Sequence, residues 1–480
     1  MTDKTRRLDS FSENIRVYMK PKMLAMLALG FASGLPLMMV FQKLSFWLRE
    51  VGIDRSTITF MYWITIAYTL KWLWSPVVDR ITLPWLGKTM GQRRSWMLLA
   101  IFGTMTGLMI IGQSQPTEAL WVTLAGAAIL AYSGATLDIA IDAWRIEIGE
   151  TSEQGHLAAV YQLGYRFAIM FSGVGLAIAE YYPWSISFAA MAGAMGLSAI
   201  IVIFFIAEPH HADRIKREAK ALHRAVADAI IEPFGQLLKR LGWWILPVAG
   251  LVALYRLPDF TMGVMANPLY ADLGYSKVVV GGFQSGVGPW LLIVGAFLGG
   301  FAVAKFGTMR ALLIGAPLTF LTTAAYAWLA NLGTPDMADV IREANNGELI
   351  GVTPPPNLYL ILAIGADNVA GGFVGTAFIA YLSNLTDPKN AATQYACLSS
   401  LYAFFCKFIA GFSGTISEAI GYAGVFLLSA SYAIPAAVLI CVILWRGTIA
   451  AKGEEVFDTE EPIEPQPEPA TQPPPRPATS

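Results

Sequence analysis

Asp138 and Asp142 lie four residues apart in a long apolar stretch, and Arg145 follows three residues later. Spacings of four and three place all three side chains on one stripe of a helix. In a hydrocarbon medium each charge costs at least about 2.5–3.5 kcal/mol on insertion scales, so the stripe faces polar partners or water. Two carboxylates one turn apart also repel strongly at low dielectric, and taking up a proton relieves that repulsion. Asp138 and Asp142 are therefore the candidates for binding and releasing protons. No histidine competes, because His156, His210, His211 and His223 all fall in polar connections.

Further charges occur in apolar stretches. Arg166 lies at about the depth of Asp138 in the next stretch and is expected to pair with it. The second half repeats the arrangement in outline, with Asp367-Asn368 on one stretch and Lys407 on the following one. Arg256 and Asp259, three residues apart, are expected to pair with each other. Arg166, Arg256 and Lys407 suit an anionic substrate. Tyr165, Tyr132, Phe167, Trp63 and Tyr68 offer faces for sugar rings or apolar groups, although aromatics equally fill helix interfaces. The candidate binding set is Arg166, Tyr165, Arg256, Asp259, Asp367, Asn368 and Lys407. The sequence carries no phosphate-cradling loop, nucleophile elbow or metal-ligand cluster, and Cys397, Cys406 and Cys441 show no paired spacing. No catalytic residues, cofactor or metal are expected, and the chain is not read as an enzyme.

The elements that must hold these groups follow from composition. Of 480 residues, 55% are hydrophobic and 14% charged, with mean hydropathy +0.52. An average soluble domain is about 25% charged. A water-soluble enzyme, a nucleic-acid binder and a disordered scaffold are excluded, and a net charge of -1 attracts no polyanion. A helix crossing the bilayer needs about 20 mostly apolar residues. Six stretches qualify without a charge: Ser95 to Thr117, Leu120 to Leu137, Pro183 to Ala207, Val278 to Ala304, Ala311 to Thr334 and Ala419 to Trp445. Six more carry isolated charges, at 23–48, 57–79, 155–179, 243–269, 357–384 and 391–417. The total is twelve. Basic residues concentrate in the N-terminal run, the 80–94 loop and the 210–240 connection, which places both termini in the cytoplasm.

Residues 1–22 are read as a cytoplasmic leader without a removable signal peptide. Residues 207–242 form a cytoplasmic linker, in which Ile215, Leu222, Val226, Ile230 and Phe234 recur at helical spacing. A solvated linker accounts for that segment equally well. Residues 447–480 form a Pro-rich, unstructured tail. The linker divides the spans six and six, as 23–206 and 243–446. Leu48-Arg-Glu-Val-Gly-Ile53 parallels Tyr270-Ala-Asp-Leu-Gly-Tyr275, and Arg166-Phe-Ala-Ile-Met-Phe-Ser-Gly173 parallels Lys407-Phe-Ile-Ala-Gly-Phe-Ser-Gly414. Duplicated halves predict an all-α membrane protein of two six-helix bundles around a central cavity, working by alternating access. Its partners are a small-molecule substrate, protons and the lipid bilayer. Nucleic acid is excluded, and a monomer is expected.

Asp79-Arg80 and Gly91-Gln-Arg-Arg94 resemble the inner-loop signature of the major facilitator superfamily, with a longer insertion between the two parts. Leu29-Gly-Phe-Ala-Ser-Gly-Leu-Pro-Leu37, Lys71-Trp-Leu-Trp-Ser-Pro-Val-Val-Asp-Arg80, Asp138-Ile-Ala-Ile-Asp-Ala-Trp144 and Leu163-Gly-Tyr-Arg166 resemble the bacterial muropeptide permease (AmpG) family. Leu254-Tyr-Arg-Leu-Pro-Asp259 and Ala392-Thr-Gln-Tyr395 extend the resemblance into the second half. The resemblance implies proton-driven import of GlcNAc-1,6-anhydro-MurNAc, with or without peptide, across the inner membrane for peptidoglycan recycling and β-lactamase induction. It assigns the family's span-four aspartates to Asp138 and Asp142. It also implies gating by Lys71, Asp79, Arg80, Arg93, Arg94 and Arg145 on the cytoplasmic side. Relatives that carry acetyl-CoA leave the cargo open, and a non-transporting sensor signalling through the tail is the alternative of another class.

Overall fold

The computed structural model describes residues 18–148, 153–209, 242–386 and 391–445. The leader up to residue 17, nearly all of the linker and the tail, with the expectations placed on them, lie outside the described residues. Among the described residues all regular structure is helical. Ten helices there are long and apolar enough to cross a membrane. In the numbering of the expected spans they are span one Pro21–Glu50, three Gln92–Gln113, four Leu120–Ile148, five Gln154–Tyr181 and six Trp184–Phe204. Seven Gly242–Asp272, eight Lys277–Phe306, nine Thr308–Asn331, ten Asn357–Leu385 and the last run Ser413–Trp445 complete the set.

The two remaining spans depart from a straight helix for local reasons. Span two is divided into Arg55–Met61, Tyr62–Ile66, Ala67–Leu70, Lys71–Leu73 and Ser75–Arg80, with 3₁₀ turns at its second and fourth pieces. Pro76 lacks the N–H that a continuous helix would return to residue 72, so the α-helical ladder is interrupted at 71–74 and a new helix starts at Ser75 with the proline in its first turn. Span eleven begins as Ala391–Ala410. Gly421, at φ 74 and ψ 172, breaks the run from Ser413, so its first two turns extend span eleven and span twelve starts after the glycine.

The repeated Leu48–Ile53 and Tyr270–Tyr275 segments fold alike. Gly52 and Gly274 sit at φ 86 and φ 75, and Ile53 N–H and Tyr275 N–H each return to the carbonyl five residues back. These are matching helix C-caps. Asp54 and Ser276 then cap spans two and eight, accepting from the Thr57 and Val279 amides. The second repeat also has a structural meaning. A Cβ on Gly173 of span five would lie 2.7 Å from Ser285 Cβ of span eight, and one on Gly414 would lie 2.1 Å from the Arg55 carbonyl oxygen of span two. Each copy thus places its glycine where the two halves touch. Within the halves, Gly30 and Gly164 let spans one and five meet, and Gly295 and Gly299 do the same for spans eight and ten.

Candidate functional site

The break in span two delivers Lys71 to the stripe on span four. Its Nζ lies 3.5 Å from Asp138 Oδ2 and 3.5 Å from Asp142 Oδ2. One ammonium therefore bridges both acids. Asp138 also accepts from Ser33 Oγ of span one at 2.5 Å, and that hydroxyl lies 2.6 Å from Tyr161 OH of span five. Arg145 approaches the other oxygen of Asp142 at 3.7 Å. Asp138 is 14% exposed and Asp142 41% exposed, so the pair runs from an enclosed acid to an open one. Neither is sealed away.

Arg166 does not pair with Asp138, because Lys71 occupies that role; among the described residues Arg166 forms no ion pair or hydrogen bond. Lys71, assigned to gating on the resemblance, stands instead between the candidate proton carriers. Tyr165 lies within electrostatic reach of both Asp138 and Arg166.

In the second half Arg256 and Asp259 pair as expected, at 2.5 Å. They straddle a break in span seven, where Pro258 starts a new helix after Arg256 leaves the α-helical ladder. Asp367 on span ten lies within electrostatic reach of both but forms no ion pair among the described residues. Asn368 turns its amide to the Ile364 carbonyl and packs against Gly288. Lys407 is buried away from Asp367 and donates to the Thr65 carbonyl of span two at 2.7 Å. The 3₁₀ turn at 62–66 leaves that carbonyl available to it.

Of the residues expected to gate, Asp79, Arg93 and Arg94 lie at the face from which span one starts. Arg93 donates to Asp79 at 2.7 Å and to Glu147 at 2.6 Å, joining spans two, three and four despite the long insertion. Glu208 accepts the Arg93 and Arg94 amides at the N-terminus of span three, where a carboxylate is favoured by the helix dipole. The Arg94 guanidinium caps the end of span six at Val202 and Ile203. All of these ties lie within the first half. The Arg80 side chain lies outside the described residues. Glu147 and Glu208 escaped the sequence reading, which looked for charges inside spans.

The opposite face carries a second charge network that joins the two halves. Arg49, at the end of span one, donates to Asp272 at the end of span seven at 2.9 and 2.7 Å, and both side chains are 0% exposed. Asp272 also takes Arg342 at 2.9 Å and Tyr422 OH at 2.8 Å. Arg49 reaches Asp339, and Arg55 reaches Asp336 and Ser417. Lys277 pairs with Glu50. Asp336, Asp339 and Arg342 come from a short helical element, 335–344, within a connection the sequence reading left unassigned. The signal was present in the first repeat: Glu50 and Asp272 occupy matching positions, as do Arg55 and Lys277, and all four bind across the halves.

Two helical halves closed by ion pairs on one face, with charges lining the spans below, define a membrane solute transporter. The model of the Major Facilitator Superfamily matches residues 23–341. The chain is 30% identical over 436 residues to the anhydromuropeptide permease of Escherichia coli K12, covering 90% of this chain and 81% of that protein. It is 28% identical over 427 residues to putative transporter AmpG 4 of Rickettsia conorii, covering 88% and 96%. The crystal structure of a D-xylose-proton symporter matches 91% of this chain and 99% of its own with a TM-score of 0.61 at 13% identity, a likeness of fold alone. The chain belongs to the Major Facilitator Superfamily and, within it, to the AmpG-type permeases.

Proposed function

We propose that this permease imports anhydro-muropeptides, GlcNAc-1,6-anhydro-MurNAc with or without its peptide, across the inner membrane together with protons. The observation that carries the reading is the Lys71 ammonium held at equal distance between Asp138 and Asp142. A cation shared by two acids stays bound only while they are charged. Protonating one carboxylate weakens its hold on Lys71 and lets span two move relative to span four. Asp142, the more exposed acid, exchanges protons with water, and Asp138 exchanges through it. Arg166, the unpaired cation nearby, receives an anionic group of the substrate, and Arg256, Asp259, Asp367 and Asn368 contribute from the second half.

The name of the E. coli relative supports the substrate, and the basic leader and loops support a cytoplasmic N-terminus and C-terminus. In that orientation the Arg49–Asp272 network seals the outer face, and the described conformation is the one that delivers cargo inward. The test is uptake of labelled anhydro-muropeptide by right-side-out membrane vesicles holding the full chain. Accumulation that collapses when a protonophore dissipates the gradient is the expected result. Uptake unchanged by the protonophore removes the proton coupling, and no uptake of this cargo removes the substrate. Competition by acetyl-CoA then identifies the other cargo class.

A further inference from the structure

Lys43 is the charge the transport reading leaves unused. It sits in the last third of span one, in a π-helical stretch, Met39–Leu44, and its side chain is 0% exposed. Among the described residues its Nζ donates to neutral oxygens alone, Gln42 Oε1 at 3.3 Å and Ser285 Oγ at 3.3 Å. No carboxylate among the described residues pairs with it. A buried ammonium held by two long bonds to neutral groups is under-compensated, since ionised groups normally leave water only when paired. Lys407 shows the contrast: it is equally unpaired by any acid, yet it has a carbonyl at 2.7 Å.

The location of Lys43 says what compensation it awaits. Ser285 belongs to the other half of the molecule, in a second π-helical stretch, Gly282–Val287. Such bulges recur at functional sites because they unpair backbone and widen the helix. Lys43 also lies six residues before Arg49 on span one, about 9 Å along the helix from the ion-pair network that joins the halves. Opening that network parts spans one and eight at this seam. Lys43 then loses Ser285 and, unlike Arg49 and Lys277 of the network, has no carboxylate among the described residues to return to.

We propose that Lys43, with Gln42 and Ser285, forms an anion subsite that exists only in the outward-open state and captures a carboxylate of the incoming substrate. The inference rests on the transport reading. A charge-assisted hydrogen bond replaces two weak neutral ones, so substrate binding and outward opening favour each other. Closing the outer face returns Lys43 to Ser285 and passes the carboxylate inward.

The experiment compares uptake of two labelled anhydro-muropeptides by right-side-out vesicles, one with free carboxylates and one with those groups converted to carboxamides. Lys43→Gln is expected to raise the half-saturating concentration of the carboxylate form about tenfold or more while moving that of the carboxamide less than about twofold. Lys43→Arg is expected to recover most of the loss. Gln42→Glu supplies an internal carboxylate, so it is expected to reproduce the loss with the lysine in place. It serves as the test on its own if Lys43→Gln does not fold. An equal rise for both cargo forms, or no rise in either variant, overturns the subsite. Wild-type vesicles that take up neither form overturn the transport reading instead.

Discussion

The network that joins the halves at Arg49 and Asp272 and the span-four cluster use the same residue types in opposite ways. Arg49 and Asp272 are 0% exposed and meet through two short hydrogen bonds, with Arg342 and Tyr422 completing the carboxylate. Lys71 meets its acids at 3.5 Å, and the three side chains are 14–41% exposed. A buried, fully paired network resists loss of any member, because the group left behind is uncompensated. A loose, wet cluster exchanges partners at little cost, because water replaces whatever leaves. The first arrangement suits a lock and the second a site that must gain and lose charge in every cycle.

Breaking the loose cluster is expected to give the largest functional change. Asp138→Asn and Asp142→Asn each remove the repulsion that a proton relieves and leave Lys71 with one acid. Gradient-driven accumulation in vesicles is expected to fall at least about a hundredfold for either variant, in line with the loss of a transferred proton. Folding is expected to survive, as shown by an unchanged elution profile in detergent. Gradient dependence retained in both variants would separate the cluster from coupling.

Breaking the lock is expected to act on structure first. Asp272→Asn leaves Arg49 and Arg342 buried without their shared carboxylate, a loss of about 3–5 kcal/mol. The measurable result is a lower melting temperature together with faster amide exchange in residues 49–55 and 335–344. Unchanged exchange there would show that the lock does not hold the two halves together at this face. The comparison sharpens if Asp272→Asn lowers stability with modest loss of uptake while Asp142→Asn does the reverse.

Arg166→Gln is the next step down. An unpaired cation serving a substrate anion is expected to change the half-saturating concentration about tenfold, with little change in melting temperature. A merely packed arginine would alter stability and leave that concentration where it was.

The two regions were unequally legible in the sequence. Asp138, Asp142, Arg256 and Asp259 stood out because a charge inside an apolar helix is costly wherever the helix packs, and their spacing alone placed each pair on one face. Partner choice across helices depended on backbone irregularities. Lys71 reached Asp138 because Pro76 broke span two, and Lys407 reached span two through a 3₁₀ carbonyl. Counting residues from the span ends assumes a straight helix, so it directed Arg166 to Asp138 and set Lys407 at the depth of Asp367. The lock was less legible still, because Arg49, Asp272 and Arg342 lie at span ends and in a connection, where charges are ordinary. Of these three, the repeat around Gly52 and Gly274 marked Asp272 alone, and it aligned Asp272 with Glu50, not with its partner Arg49.

The smallest effect tests whether the network between the halves is one lock or a graded one. Lys277 and Glu50 occupy the repeat positions of Arg55 and Asp272, yet they are 15% and 35% exposed, against 0% for Asp272. Water and salt screen this pair, so its net contribution is expected to stay below about 1 kcal/mol. Trp184 also donates to Glu50 at 2.7 Å, and Lys277 lies over the Trp184 ring, so each partner keeps a contact when the other is removed. Lys277→Gln is therefore expected to lower the melting temperature by only about 1–2 °C for a chain of this size. Raising the salt concentration to about 1 M is expected to erase even that difference, because the Debye length falls to about 3 Å. Asp272→Asn is expected to keep its full deficit in the same salt. Equal salt sensitivity in the two variants would mean that Arg49 and Asp272 are as wet as their repeat counterparts, and the division between lock and exchange site would fail at its outer edge.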